Sequence, residues 1–139
     1  MGDATDALVA TFRSFGEDAL RDVWLFDQWT HQKLYVREDV DARLDDLDVS
    51  GFVDNERYGY ITRDTYESLY YADYDYTVRG FSTFELFRTF FADDEGRVGV
   101  IAGFDRREGG YDFPALSAEL GTVLDEHSVT ELIPEDDTR

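Results

Sequence analysis

From Tyr74 to Phe104 the chain repeats with a period of two, and in its later part both faces of that repeat are apolar. Tyr76 and Val78 alternate with Asp75, Thr77 and Arg79; Phe84, Leu86 and Phe90 with Glu85, Phe87 and Phe91; Val98, Val100, Ala102 and Phe104 with Gly99, Ile101 and Gly103. A strand apolar on both sides must be covered on both sides, so this run demands a sheet with helices on each face. Asp93-Asp94-Glu95-Gly96 reads as a hairpin turn between the last two runs. Phe84, Phe87 and Phe91 also match a helical stripe, but the aromatic and β-branched content and the turn beyond favour strand over 83–91.

Ahead of this run, Leu8, Phe12, Phe15 and Ala19 fall at helical spacing behind the capping acids Asp3 and Asp6, predicting a helix over 5–19. Val23 to Phe26 and Lys33 to Arg37 read as strands, joined by a hairpin at Asp27-Gln28-Trp29-Thr30. Val40, Leu44 and Leu47 mark a short helix. More helix is expected through Phe52-Val53 and on to Tyr66, Leu69 and Tyr70, with Thr62 as a cap. Gly51 and Gly59 predict two or three pieces there rather than one rod. After a polar loop from Arg106 to Asp112, Pro114 suits the first helical position of a closing helix carrying Leu116, Leu120, Val123 and Leu124.

The expected fold class is therefore α+β: a single antiparallel sheet of about five strands wrapped by helices, in the order α-β-β-α-β-β-β-α. Residues 1–133 are expected to form one domain and 134–139 an acidic disordered tail. The element order resembles the roadblock (dynein-light-chain-like) and profilin-like layouts, a likeness of topology without a shared motif. A second resemblance is carried by Leu34-Tyr35-Val36-Arg37-Glu38-Asp39-Val40, Tyr66-Glu67-Ser68-Leu69-Tyr70, Tyr76-Thr77-Val78-Arg79 and Gly96-Arg97-Val98-Gly99-Val100. These segments look like a family of small uncharacterised haloarchaeal proteins, a resemblance that brings no catalytic residue with it.

Charge narrows the setting. Thirty-two acidic residues face 13 basic ones, of which only Lys33 is a lysine, for a net charge of -19. The acids are spread along the whole chain, and in dilute buffer their repulsion opposes compaction. In molar salt the screening length falls to about 3 Å and exposed like charges barely interact. The expectation is a haloarchaeal cytoplasmic protein that requires high KCl. Cysteine is absent, which excludes disulfides, thiolate metal sites and cysteine nucleophiles. No basic start leads into an apolar run, and no apolar stretch is long enough to span a bilayer, so neither a signal peptide nor a membrane contact is expected. An acidic surface also disfavours nucleic acid, whose phosphates need a basic footprint.

Reaction motifs are missing: there is no nucleophile elbow, phosphate loop, dinucleotide fingerprint or metal-binding histidine pair. Asp46, Asp48, Ser50 and Asp54, with Gly51 between the last two, imitate part of a calcium loop. Arg57 stands where the bidentate glutamate belongs, and chance spacing among so many acids accounts for the rest. His31 and His127 read as a hairpin residue and a helix-end cation rather than metal ligands. Arg106 and Arg107 beside Gly109-Gly110 invite a phosphate, but salt bridging is the expected fate of the arginines. No cofactor is expected.

Seven of the nine tyrosines lie between Tyr58 and Tyr76. Core filling is one reading of this cluster; the other is a ligand or partner face of Tyr66, Tyr70, Tyr71, Tyr74, Tyr76 and Arg79, since tyrosine joins a large contact area to a polar tip. The function expected is a non-enzymatic regulatory or adaptor domain working through protein contacts as a homodimer, its protein partner unknown. The alternative is a small-molecule sensor holding a ligand between the sheet and the 58–71 helices.

Overall fold

The computed structural model describes residues 3–43, 49–93, 96–132 and 134. Its elements are helix α1 (Asp3–Gly16), strands β1 (Leu20–Phe26) and β2 (His31–Val36), helices α2 (Glu38–Asp41) and α3 (Val49–Tyr70), strands β3 (Thr77–Gly80), β4 (Phe84–Asp93) and β5 (Gly96–Asp105), and helix α4 (Phe113–Glu126). Short 3-10 turns follow α1 and α4. The five strands form one antiparallel sheet in the order β2-β1-β5-β4-β3. Long β5 and β4 lie side by side, while β2 and the four-residue β3 form the edges.

The apolar alternation separates two cores. On one face Leu8 and Phe12 of α1 and Leu116 and Leu120 of α4 bury against Val23, Leu25, Phe87, Val100 and Phe104. On the other face Trp24, Phe26 and Ile101 form a smaller cluster with Val53 of α3. Residues 83–91 are strand apart from Thr83 at the start, since β4 is paired along both edges and shares its residues between the two cores. Phe12, Phe15, Phe87, Phe104, Tyr111 and Phe113 pack ring to ring on the α1–α4 face. Truncating such a ring to alanine costs about 3–5 kcal/mol, because the neighbours collapse only partly into the space left.

Local chemistry sets the element ends. Asp112 caps α4 by accepting the Ala115 N–H at 3.1 Å, and Pro114 is the second helical residue. His127 ends that helix and lies 3.6 Å from Glu131. The β1–β2 turn is held by Asp27, whose carboxylate accepts the N–H groups of Trp29 and Thr30, each at 2.9 Å. A bulge near the start of β1 aims Asp22 at β5, where it accepts the Gly103 N–H at 3.0 Å, while Trp24 donates its indole N–H to the same carboxylate. Burial raises the Asp22 carboxyl above its ordinary range.

One element departs from expectation. Helix α3 is a single rod of 22 residues, not two or three pieces. Gly51 and Gly59 are both helical, and Gly59 has a packing reason described below. β3 begins at Thr77, three residues later than the period-two pattern began. Leu44 and Leu47, the Asp94-Glu95 part of the last hairpin and all of the acidic tail except Pro134 lie outside the described residues.

Candidate functional site

Helix α3 is attached by a narrow strip. Among its described residues only Val53, Glu56 and Gly59 are buried, and two of those three are not apolar. Arg88 of β4 donates from Nη1 to Glu56 Oε1 at 2.8 Å, and both side chains are buried. Arg79 of β3 donates from Nε to the other oxygen at 3.1 Å. Arg88 Nη2 also donates to Thr77 Oγ1 at 2.7 Å, and that hydroxyl is 2.5 Å from the Tyr74 hydroxyl. The guanidinium lies so close to α3 that a Cβ at position 59 would fall 2.2 Å from Arg88 Nη1. Glycine here is a requirement of close approach rather than a helix stop. One cost is visible: Arg88 Nε is buried without a hydrogen-bond partner among the described residues.

The rest of α3 faces outward with large apolar groups. Tyr58, Ile61 and Leu69 are exposed on the side away from Glu56, at spacings of three and eight residues. Towards the C-terminus Tyr66 and Tyr70 stack with ring centroids 6.1 Å apart, and Tyr74 joins Tyr66 at 6.0 Å. Tyr70 is 70% exposed and Tyr71 95% exposed. Tyr71 has φ 54°, the left-handed region in which a bulky side chain is disfavoured. Tyr74, which joins this end of α3, reaches Thr77 of β3, whose outer edge has no partner strand among the described residues.

Of the six residues expected to make a face, the structure gathers Tyr66, Tyr70 and Tyr74, with Tyr71 at the end of the same helix. Tyr76 goes elsewhere. It stacks on Phe87 at 5.3 Å and packs into the α1–α4 core. Arg79 serves the buried Glu56, although its own side chain is about half exposed.

A second feature lies at the other end of α3. Arg57 donates to the carbonyls of Asp27 at 2.7 Å and Thr30 at 3.1 Å, and to the Asp54 carboxylate at 2.5 Å. It thereby clamps the β1–β2 turn to α3. Between them runs an open trough of about 280 Å³, with Phe26, Phe90 and Gly99 at its base and Trp29, Ile61 and Arg97 along its sides. Trp29 is 86% exposed. Sequence reasoning passed over this residue, because a single tryptophan in a predicted turn carries no periodic signal.

The other candidate constellations resolve into structural roles. Ser50 and Asp54 fall inside α3, so the later part of the calcium-loop pattern is helical; Asp46 and Asp48 lie outside the described residues. Among the described residues no group of three His, Asp or Glu side chains is arranged to hold a metal ion. Arg106 donates to the Phe81 carbonyl and Arg107 to that of Gly16, with Arg107 also over the Tyr111 ring. Arg37 ties Asp39 and Asp105 together across the sheet end, donating at 2.5 Å and 2.6 Å, and its hydrogen bonds hold both carboxyl groups below their ordinary range. No described helix is long and apolar enough to cross a membrane.

Comparison with known proteins places the fold. The chain is similar to Myxococcus xanthus MglB, with a TM-score of 0.57 over 99% of this chain and 98% of that one, at 14% sequence identity. At that identity the likeness concerns the fold, which is roadblock-like, as the element order implied. No curated protein matches the chain by sequence. The model of a domain of unknown function, DUF7522, matches residues 6–125, and the chain belongs to that family.

Proposed function

We propose that the chain is a non-enzymatic adaptor domain that works through protein contacts, and that it self-associates through the C-terminal end of α3 and the free edge of β3. The observation that carries this reading is Tyr71. A tyrosine that is 95% exposed and held at φ 54° gains no packing in the free chain for a conformation that glycine adopts without cost. Such a residue is accounted for by contacts it makes elsewhere. Tyr70, Tyr66 and Leu69 extend the same exposed surface, and tyrosines are favoured at interface centres for their large, rigid contact area. The adjacent edge of β3, unpaired by any strand among the described residues, offers backbone groups that a second copy can pair.

The proposed setting is a cytoplasm of high KCl, in which two chains each of net charge -19 approach without prohibitive repulsion. Hydrogen exchange at two protein concentrations in molar KCl tests the reading. The amides of Thr77 to Gly80 are expected to exchange more slowly in the concentrated sample. Equal exchange at both concentrations contradicts it.

A further inference from the structure

The trough between the β1–β2 turn and α3 has the makings of a ligand site separate from the tyrosine face. Its size suits one ring with a short chain: a dry cavity of about 150 Å³ accommodates benzene, and this trough measures about 280 Å³. Phe90 and Phe26 meet edge to face at its base, 5.8 Å apart. Gly99 lets the Phe26 ring lie flat there, since a Cβ would fall 2.2 Å from its tip.

Arg97 supplies the chemistry. Its guanidinium lies 4.0 Å over the Tyr60 ring and, among the described residues, meets no carboxylate within ion-pair distance. Arg21, Arg37, Arg57, Arg63, Arg79 and Arg88 each have a carboxylate partner. Among the described residues Arg106 and Arg107 also lack one and donate to backbone carbonyls instead, whereas Arg97 stacks on Tyr60 beside an apolar trough. The two carboxylates that line the connected groove are committed to backbone donors. Asp27 accepts from Trp29 and Thr30, and Asp93 from Gly96 and Val129. Their negative charge nonetheless remains, which rejects a dianion and leaves room for a single charge at Arg97.

We infer that the trough binds a small amphipathic monocarboxylate, its ring or branched apolar body against Phe90 and Ile61 and its carboxylate on Arg97. This assignment stands apart from the self-association reading, because it uses none of the same side chains.

The test titrates the full chain with 3-phenylpropanoate, 3-phenylpropanol and 3-phenylpropylamine, following Trp29 emission and proton–nitrogen chemical shifts. Trp24, only 5% exposed, provides a constant background for the 86% exposed Trp29. The carboxylate is expected to bind saturably with a Kd of about 1 mM, as the size of the probe dictates. The alcohol and the amine should bind about tenfold more weakly, and Arg97→Gln should bring the carboxylate down to their level. Arg97→Lys should retain part of the difference, and Ile61→Asp should abolish binding of all three. Equal binding of acid and alcohol, unchanged affinity in a folded Arg97→Gln variant, or no saturable shift overturns the assignment. So does a Trp29 signal already shielded in the free protein that becomes exposed on dilution, which identifies a second copy as the occupant.

Discussion

Arg88 and Glu56 meet at 2.8 Å with both side chains about 5% exposed, a buried ion pair that joins α3 to the sheet beside the apolar contact of Val53. Removing one partner strands the other charge in a buried site. Glu56→Leu is expected to cost about 3–5 kcal/mol in urea unfolding. Adding Arg88→Met should restore most of that loss, since a buried ion pair replaced whole by apolar groups is often neutral or better. If the double variant is as weak as the single one, the pair is not the unit of attachment.

Gly59 should reverse the usual helix rule. A mid-helix glycine replaced by alanine ordinarily gains about 1 kcal/mol. Here the new methyl meets Arg88 Nη1 at 2.2 Å, and Glu56 and Thr77 hold that guanidinium in place. Gly59→Ala is expected to lose about 1–3 kcal/mol. In an Arg88→Met background the same change should stabilise the chain. A double-mutant cycle by chemical denaturation reads both signs.

Acid unfolding should divide among three carboxyl groups. Hydrogen bonds from Arg37 lower the folded values of Asp39 and Asp105. Their contribution is complete above about pH 4, the unfolded value, and is lost as pH falls through the lower folded values. Asp22 runs the other way: burial raises its folded value, so its contribution is present below about pH 4 and is lost as pH rises through that raised value. Arg37→Gln should therefore flatten the acid limb of the stability profile. Asp22→Asn should flatten the limb just above it, while leaving either Trp24 or Gly103 with a poorer acceptor. Urea midpoints across the acid range separate the two.

Tyr71 should trade stability against association. Tyr71→Gly relieves a left-handed residue and is expected to raise the unfolding free energy of the monomer by about 1–2 kcal/mol. The same variant should self-associate more weakly, because the most exposed ring of the face is gone. A gain in both properties contradicts a binding role for that ring.

The sheet was legible because β4 and β5 write their burial into a period of two, and no helix satisfies Val98, Val100 and Ala102 on one face with Ile101 on the other. The single rod of α3 was not. Its buried strip is Val53, Glu56 and Gly59, and a glutamate and a glycine leave no hydrophobic trace, while the apolar residues that do stand out point to solvent. Of the tyrosines, Tyr66, Tyr70 and Tyr74 meet ring to ring and Tyr71 stands exposed beyond them, while Tyr76 packs into the core on the opposite face. Arg57 illustrates the limit from another side. It spoiled a calcium-loop pattern in the sequence, and only the fold shows it as the clamp on the Trp29 turn.

Self-association through the tyrosine end of α3 is most directly tested by light scattering on the full chain and its Leu69→Asp variant in molar KCl. The expected result is twice the 16.0 kDa chain mass for the unaltered protein and a single chain mass for a folded variant. A mass of one chain for both, at every concentration tried, contradicts the account.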